Sequence, residues 1–181
     1  MFQYCPSCAG KDIQLKGNRF FCPTCGFVYF HNTAAAMGCV IEAGEKVLFA
    51  VRGKEPAAGK LDLPGGFVDP GEGIFEAMQR ELLEELGWTP PLKNGQSFAE
   101  ICTLFASFSN TYPYKNIVYN TCDMYFVVSA PDLKIESLRP EPGEIESLVF
   151  LDPDEIKADD LAFDSLKRAM EAYREFKKRR S

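Results

Sequence analysis

Histidine and tryptophan are almost missing from this chain of 181 residues, which has one of each, His31 and Trp88. A single His leaves His-based nucleophilic or acid–base machinery without a second histidine to share the work. His31 itself follows four cysteines that already complete a ligand set, and it reads as a linker or surface residue. No run of about 18 apolar residues occurs, so no membrane span is indicated. Nor is there room for a signal peptide, because Cys5 already belongs to a motif. Internal repeats and low-complexity segments are absent. Positive charge is scarce, with 20 Lys and Arg against 26 Asp and Glu for a net charge of −6. Bulk charge therefore does not steer the protein towards nucleic acid. A small anionic substrate would need local help from a metal and from Arg or Lys.

What is present suits a soluble globular protein of one main domain with a small appendage. Hydrophobic residues make up 46%, with 15 Phe and 7 Tyr to fill a core. The spacing of the seven Cys suggests metal and core thiols rather than disulfides, which fits a cytoplasmic address. Cys5-Pro-Ser-Cys8 and Cys22-Pro-Thr-Cys25 are two knuckles separated by 13 residues. Ile13–Leu15 and Arg19–Phe21, joined by Lys16-Gly17-Asn18, read as a hairpin between them. Residues 1–31 are thus expected to form a zinc ribbon, with four thiolates closing a tetrahedral, structural Zn²⁺ site. Residues 32–181 are the expected main domain. Cys39, Cys102 and Cys122 fall in strand-like stretches and read as core.

The most informative stretch runs from Gly65 to Trp88. Gly65-Gly66-Phe67 supplies backbone able to turn and approach a ligand closely. Gly73–Leu86 reads as a helix stopped by Gly87. Phe75, Met78, Leu82 and Leu86 share its core stripe, and Glu81, Glu84 and Glu85 lie close together on the opposite side. Like charges at this spacing repel by roughly 0.2–0.5 kcal/mol per pair. A cation would relieve them, and an all-oxygen ligand set suits Mg²⁺ or Mn²⁺. A solvated acidic helix face is the alternative.

Gly66, Glu72, Arg80-Glu81-Leu82, Glu84-Glu85, Gly87 and apolar Trp88 stand at the spacings of the Nudix box, which they match at every specified position. The chain resembles the Nudix hydrolases, which cleave diphosphates linked to a nucleoside or another moiety. The resemblance implies an α/β Nudix fold, a mixed β-sheet sandwiched between helices and here preceded by the ribbon. It implies metal-dependent hydrolysis of a nucleoside diphosphate linked to another moiety, of dinucleotide or ADP-ribose type, with NADH included. Alternatives are a nucleoside triphosphate pyrophosphatase and a non-catalytic nucleotide-sensing module. Position by position, Glu81, Glu84 and Glu85 match the metal-binding glutamates, and a carbonyl of Gly65 or Gly66 often completes the shell. Glu72 and Arg80 match an internal ion pair. The general base is a box Glu in some members and a Glu from a later loop in others, for which Glu141 and Glu144 are the candidates. Members often form homodimers.

The ribbon followed by a Nudix domain is similar to NADH pyrophosphatases and to enzymes acting on flavin or ADP-ribose diphosphates. The NADH group carries Ser-Gln-Pro-Trp-Pro-Phe-Pro downstream of the box, whereas this chain has Ser107-Phe-Ser-Asn-Thr-Tyr-Pro-Tyr114 there. Phe108, Tyr112, Tyr114 and Tyr119 either stack a nucleobase or pack a loop. Arg52 either faces substrate phosphate or ends its strand in solvent.

The remaining elements follow from pattern. Ala34–Ala43 and Lys46–Arg52 read as a hairpin, and Leu61–Phe67 as the short strand delivering the box. Phe98–Phe108 is an expected strand, Ser109–Asn116 a loop, and Ile117–Ser129 and Ile145–Leu151 are strands. Asp152-Pro153 is expected to open a short helix. Ala162–Lys178 is the last helix, packed on the sheet or on a partner, and its basic end suits the helix C-terminus.

Overall fold

The computed structural model describes residues 3–115 and 117–180. Asn116, at the end of the expected loop, lies outside them, as do Met1, Phe2 and Ser181. Two sheets share no strand. The first is three-stranded and antiparallel, in order β1 (Gln14–Lys16), β2 (Arg19–Phe21), β3 (Val28–Phe30). The expected hairpin is present, shifted by one residue in its first strand. β3, which follows the second Cys knuckle, was not anticipated.

The second sheet holds β4 (Ala34–Ala43), β5 (Lys46–Arg52), β6 (Leu61–Asp62), β7 (Gly65–Phe67), β8 (Thr103–Tyr114), β9 (Ile117–Ser129) and β10 (Ile145–Leu151). Its main path is β10-β5-β4-β9-β8, with β6 beside β5 and β7 beside β4. The long β4–β9 ladder is parallel and the neighbouring pairs are antiparallel, so the sheet is mixed. β4 and β5 meet only at Glu42↔Val47 and Ala43↔Lys46, because β7 takes the other half of that edge of β4.

Helices cover both faces. α1 (Ile74–Leu86) and α2 (Phe98–Ile101) close a core containing Cys39, Ile41, Leu48, Phe126 and Val128. α3 (Asp164–Arg180) closes the other, with Val40, Val47, Phe49, Tyr125 and Val127. Alternate residues of one strand thus enter opposite cores, which is why the central strands are apolar without interruption. Met78, Leu82 and Leu86 on α1 are fully buried, and each contributes about 1.5–3 kcal/mol by leaving water. Leu166, Met170 and Tyr173 of α3 are buried against this same sheet, so the last helix packs on its own domain.

Five expectations are corrected, the first being that Leu61–Phe67 is not one strand but two, β6 on β5 and β7 on β4. Phe98–Ile101 is helical, not the start of a strand, because Ser97 and Glu100 form a capping box in which the Ser97 N–H donates to the Glu100 carboxylate at 2.6 Å. The expected loop at 109–115 is strand as far as Tyr114, paired with Ile117. β8 is the sheet edge, where the missing N–H of Pro113 is tolerated. Asp152 starts a turn and not a helix, since its carboxylate accepts from Asp154 N–H at 2.9 Å. Cys122 is exposed beside Ser107, because the α1-side packing along β9 reaches only to Met124. Cys39 and Cys102 are buried as expected.

Candidate active site and cysteine cluster

The box helix and the glycine strand are fitted to each other. Gly65 has φ +148°, and a Cβ there would stand 2.2 Å from the Met37 carbonyl oxygen. A Cβ on Gly66 would stand 2.5 Å from a Glu81 carboxylate oxygen. Only glycine lets β7 come this near. The approach lets the Gly65 N–H donate to Glu85 Oε2 at 2.9 Å.

Arg80 ties the rest of the box together. Its Nε and Nη2 donate to the two oxygens of Glu72 at 2.7 and 3.0 Å. Nη1 reaches Glu81 and Glu84 at 2.8 and 3.1 Å, and Nη2 also reaches the Phe67 carbonyl at 3.1 Å. The guanidinium holds the Glu72 carboxyl below its ordinary range. Arg80 therefore relieves part of the repulsion between Glu81 and Glu84, a role the sequence reading gave to a metal. Among the described residues, no cation pairs with Glu85. Burial above all pushes its carboxyl up to about 8, against the opposing Gly65 N–H, with Glu81 adding to the rise. Burial raises Glu81 as well, against the pull of Arg80. Two desolvated carboxylates side by side, one of them without a cationic partner among the described residues, are a donor set that fits a divalent cation.

Glu81 and Glu85 line a cleft of about 250 Å³, together with Gly65, Gly66, Arg52 and Tyr112. Glu84 is at the exposed rim and is not among the lining residues. Glu144 lines the cleft and is ion-paired with Lys54. Glu141 does not line it. Its N–H donates to the Glu85 carbonyl at 3.0 Å, and Arg139 N–H to that of Leu86 at 2.7 Å, so this loop satisfies the end of α1. Gly87 stops the helix with φ +60°.

The expected substrate contacts divide. Arg52 reaches the cleft, but its guanidinium is held by Asp62 at 2.7 Å, by the Pro56 carbonyl and over the Phe163 ring. Tyr112 lines the cleft edge-on to Phe67. Tyr119 packs on Phe67 outside the lining, and Tyr114 is exposed beneath Lys115. Phe108 lies on the α3 side under Arg168.

Sequence reading missed Lys54, Asp62, Asn110, Thr121 and Asp123, all of which line the cleft. Asp62 is held up at about 6 by burial, with Arg52 opposing. The available signal was a lone acid inside an apolar strand, since a buried polar residue tells more than an exposed apolar one.

At the other end of the chain, the Sγ atoms of Cys5, Cys8, Cys22 and Cys25 lie within 4.8 Å of one another. Cys5–Cys25 and Cys8–Cys22 are each 3.7 Å apart. A tetrahedron with Zn–S near 2.3 Å has edges of about 3.8 Å, so the four sulfurs fit zinc. The two knuckles repeat one geometry. Ala9 N–H donates to the Cys5 carbonyl and Gly26 N–H to that of Cys22, and Ala9 and Gly26 both have positive φ.

The family model of the NUDIX domain matches residues 31–173. The chain belongs to the Nudix family. It is 29% identical over 154 residues to the NAD-capped RNA hydrolase NudC of Chromobacterium violaceum, covering 84% of this chain and 51% of that one. It is 42% identical over 67 residues to the ADP-ribose pyrophosphatase of Methanocaldococcus jannaschii, covering 37% and 39%. The chain thus spans about half the length, or less, of these curated relatives. The crystal structure of a NUDIX hydrolase from Nitrosomonas europaea superposes with a TM-score of 0.64 at 26% identity, covering 94% of this chain and 91% of that one. Among the described residues, no helix is long and apolar enough to cross a membrane.

Proposed function

We propose that this Nudix protein hydrolyses the diphosphate bond of a nucleoside diphosphate linked to another moiety, of dinucleotide or ADP-ribose type. The observation that carries this reading is the close fit of Gly65 and Gly66 onto Glu85 and Glu81 at the wall of one cleft. Support for the substrate class comes from the relatives, an NAD-capped RNA hydrolase and an ADP-ribose pyrophosphatase.

Glu81, Glu84 and Glu85, with a carbonyl of Gly65 or Gly66, would hold Mg²⁺ or Mn²⁺. Such an ion polarises phosphoryl oxygens and lowers the pKa of a bound water. The protein's own part is orientation and charge. Arg80 fixes the rotamers of Glu81 and Glu84, while the Gly65 N–H fixes Glu85. Of the two later glutamates, Glu144 is the better general base, because it lines the cleft and its pairing with Lys54 orients the carboxylate. Glu141 serves through its backbone, holding the loop to α1. The four cysteines would hold a structural Zn²⁺ that stabilises a segment with little core of its own.

The test is hydrolysis of NADH, NAD, ADP-ribose, FAD, diadenosine polyphosphates and nucleoside triphosphates with Mg²⁺ or Mn²⁺, beside Glu85→Gln. Turnover of a diphosphate-linked class, lost in the variant, is expected. Turnover confined to triphosphates would move the substrate class. No turnover by folded, zinc-loaded protein would favour a nucleotide sensor.

A further inference from the structure

Thr121, Asp123 and Tyr125 alternate along β9 and so share one sheet face. Beside them on the parallel strand stand Ala36, opposite Asp123, and Gly38, opposite Tyr125. Gly38 admits the Tyr125 ring, which a Cβ there would meet at 3.1 Å, and small Ala36 beside Asp123 keeps the floor of the cleft low; Thr121, Asp123 and Tyr125 furnish that cleft with polar groups. The Asp123 carboxylate is held from one side only. Its Oδ2 accepts from Ser165 Oγ at 2.6 Å and from Asn110 Nδ2 at 3.0 Å, and the Tyr125 hydroxyl in turn donates to Ser165 at 2.9 Å. Among the described residues its Oδ1 has no hydrogen-bond partner, and neither has Thr121 Oγ1. Asp123 is 8% exposed and Thr121 2%. A buried acceptor left without a donor is costly, and native proteins seldom keep one without a use.

The two open groups are complementary in kind. Asp123 Oδ1 can only accept, and the Thr121 hydroxyl can donate. Together they match a planar edge that shows an N–H₂ donor beside an acceptor. Adenine has such an edge, and so has a pyridine carboxamide. Hypoxanthine and a pyridine carboxylate show acceptors where the donor should be. Tyr112, Phe67 and Phe163 line the same cleft, and Tyr112 is 5.4 Å from Phe67 and 5.7 Å from Phe163 between ring centroids. They supply the apolar wall that a flat ring needs.

We propose that Asp123 and Thr121 form a ring-reading subsite that selects the amino or amide edge of a nitrogen heterocycle on the substrate. It rests on the diphosphate-hydrolase reading for what the rest of the ligand is, but it concerns recognition and not cleavage.

The experiment measures equilibrium binding to the full, zinc-loaded chain without added Mg²⁺ or Mn²⁺. The probes are NAD, nicotinamide hypoxanthine dinucleotide and nicotinic acid adenine dinucleotide, with ADP-ribose and its hypoxanthine counterpart. Loss of about tenfold or more in affinity on replacing adenine identifies the adenine edge. The same loss on replacing the carboxamide identifies that edge. Asp123→Asn keeps an oxygen for Ser165 and Asn110 and turns a donor into the cleft, so it should abolish or invert the preference. Thr121→Val should weaken the preferred ligand without inverting anything. Melting curves check that both variants fold. Equal binding of all probes, no binding of any, or a preference unchanged in Asp123→Asn would each overturn the subsite. Hydrolysis with Mg²⁺ separates the two readings. Turnover without ring preference sinks the subsite alone, and ring preference without turnover of any probe sinks the hydrolase alone.

Discussion

Glu85 makes this protein's stability depend on pH in a direction that a single substitution can isolate. Its carboxyl is raised from 4.5 to about 8, chiefly by burial. A raised carboxyl is one the folded state prefers to keep protonated. Its contribution to stability is fully present below pH 4.5 and is lost as pH rises through about 8. The interval between those values, at 1.36 kcal/mol per pH unit, gives a ceiling of about 5 kcal/mol. For a domain of this size that is roughly 10–20 °C in melting temperature. Asp62, raised from 3.8 to about 6, acts in the same sense over a lower range and is common to both proteins compared. Glu85→Gln keeps an oxygen for the Gly65 N–H and removes the titration. Near pH 5 the variant and the native protein should melt within a few degrees of each other. Near pH 8.5, without added Mg²⁺ or Mn²⁺, the variant should be clearly the more stable. Adding the ion should raise the native protein and not the variant. The assay is differential scanning fluorimetry of zinc-loaded protein across pH. A difference between the two proteins that stays constant with pH, or that shrinks above pH 7, would refute the account of Glu85 as a desolvated, cation-seeking carboxylate.

Three further outcomes are expected. Gly66→Ala places a Cβ 2.5 Å from a Glu81 oxygen, so hydrolysis should fall about 100-fold through a displaced carboxylate while circular dichroism is unchanged. Arg80→Ala takes the guanidinium from both Glu72 oxygens, leaving Oε2 only the Asp69 N–H, and should lower the midpoint of urea unfolding; Arg80→Lys should recover only part, lacking the planar fork. Cys22→Ser should abolish zinc binding, read by metal analysis, and disorder the three-stranded sheet while the melting of the main sheet is retained.

The box was legible because its chemistry is local. The core stripe of α1, the Gly87 stop and the Glu72–Arg80 pair lie within 16 residues of sequence, and helical geometry alone sets their neighbours. The cysteine knuckles were legible for the same reason. What failed had a non-local cause or a weak local one. The strand expected at Phe98 yielded to the Ser97–Glu100 capping box, a signal present in the sequence. The loop expected at Ser109 became strand because β9 was there to pair with it. Phe108, Tyr112 and Tyr114 share one face of β8, yet position along the strand separates them: Phe108 lies under α3, Tyr112 at the cleft and Tyr114 at the exposed end.

The sequence by itself determined the helix that carries the glutamates, the glycines that must approach it, the four thiols and the alternation of apolar strands. Each depends on dihedral preference, side-chain period or spacing over a few residues. Only the tertiary structure decided which glutamate is left without a cation, that Arg52 is held by Asp62, and that Glu144 rather than Glu141 faces the cleft. The same holds for the open oxygens of Asp123 and Thr121. Asp123 is polar on an apolar strand wherever it is read. That one of its oxygens is taken by Ser165 and Asn110 and the other is left facing a cavity depends on a helix 42 residues later in the chain, a juxtaposition that only packing creates.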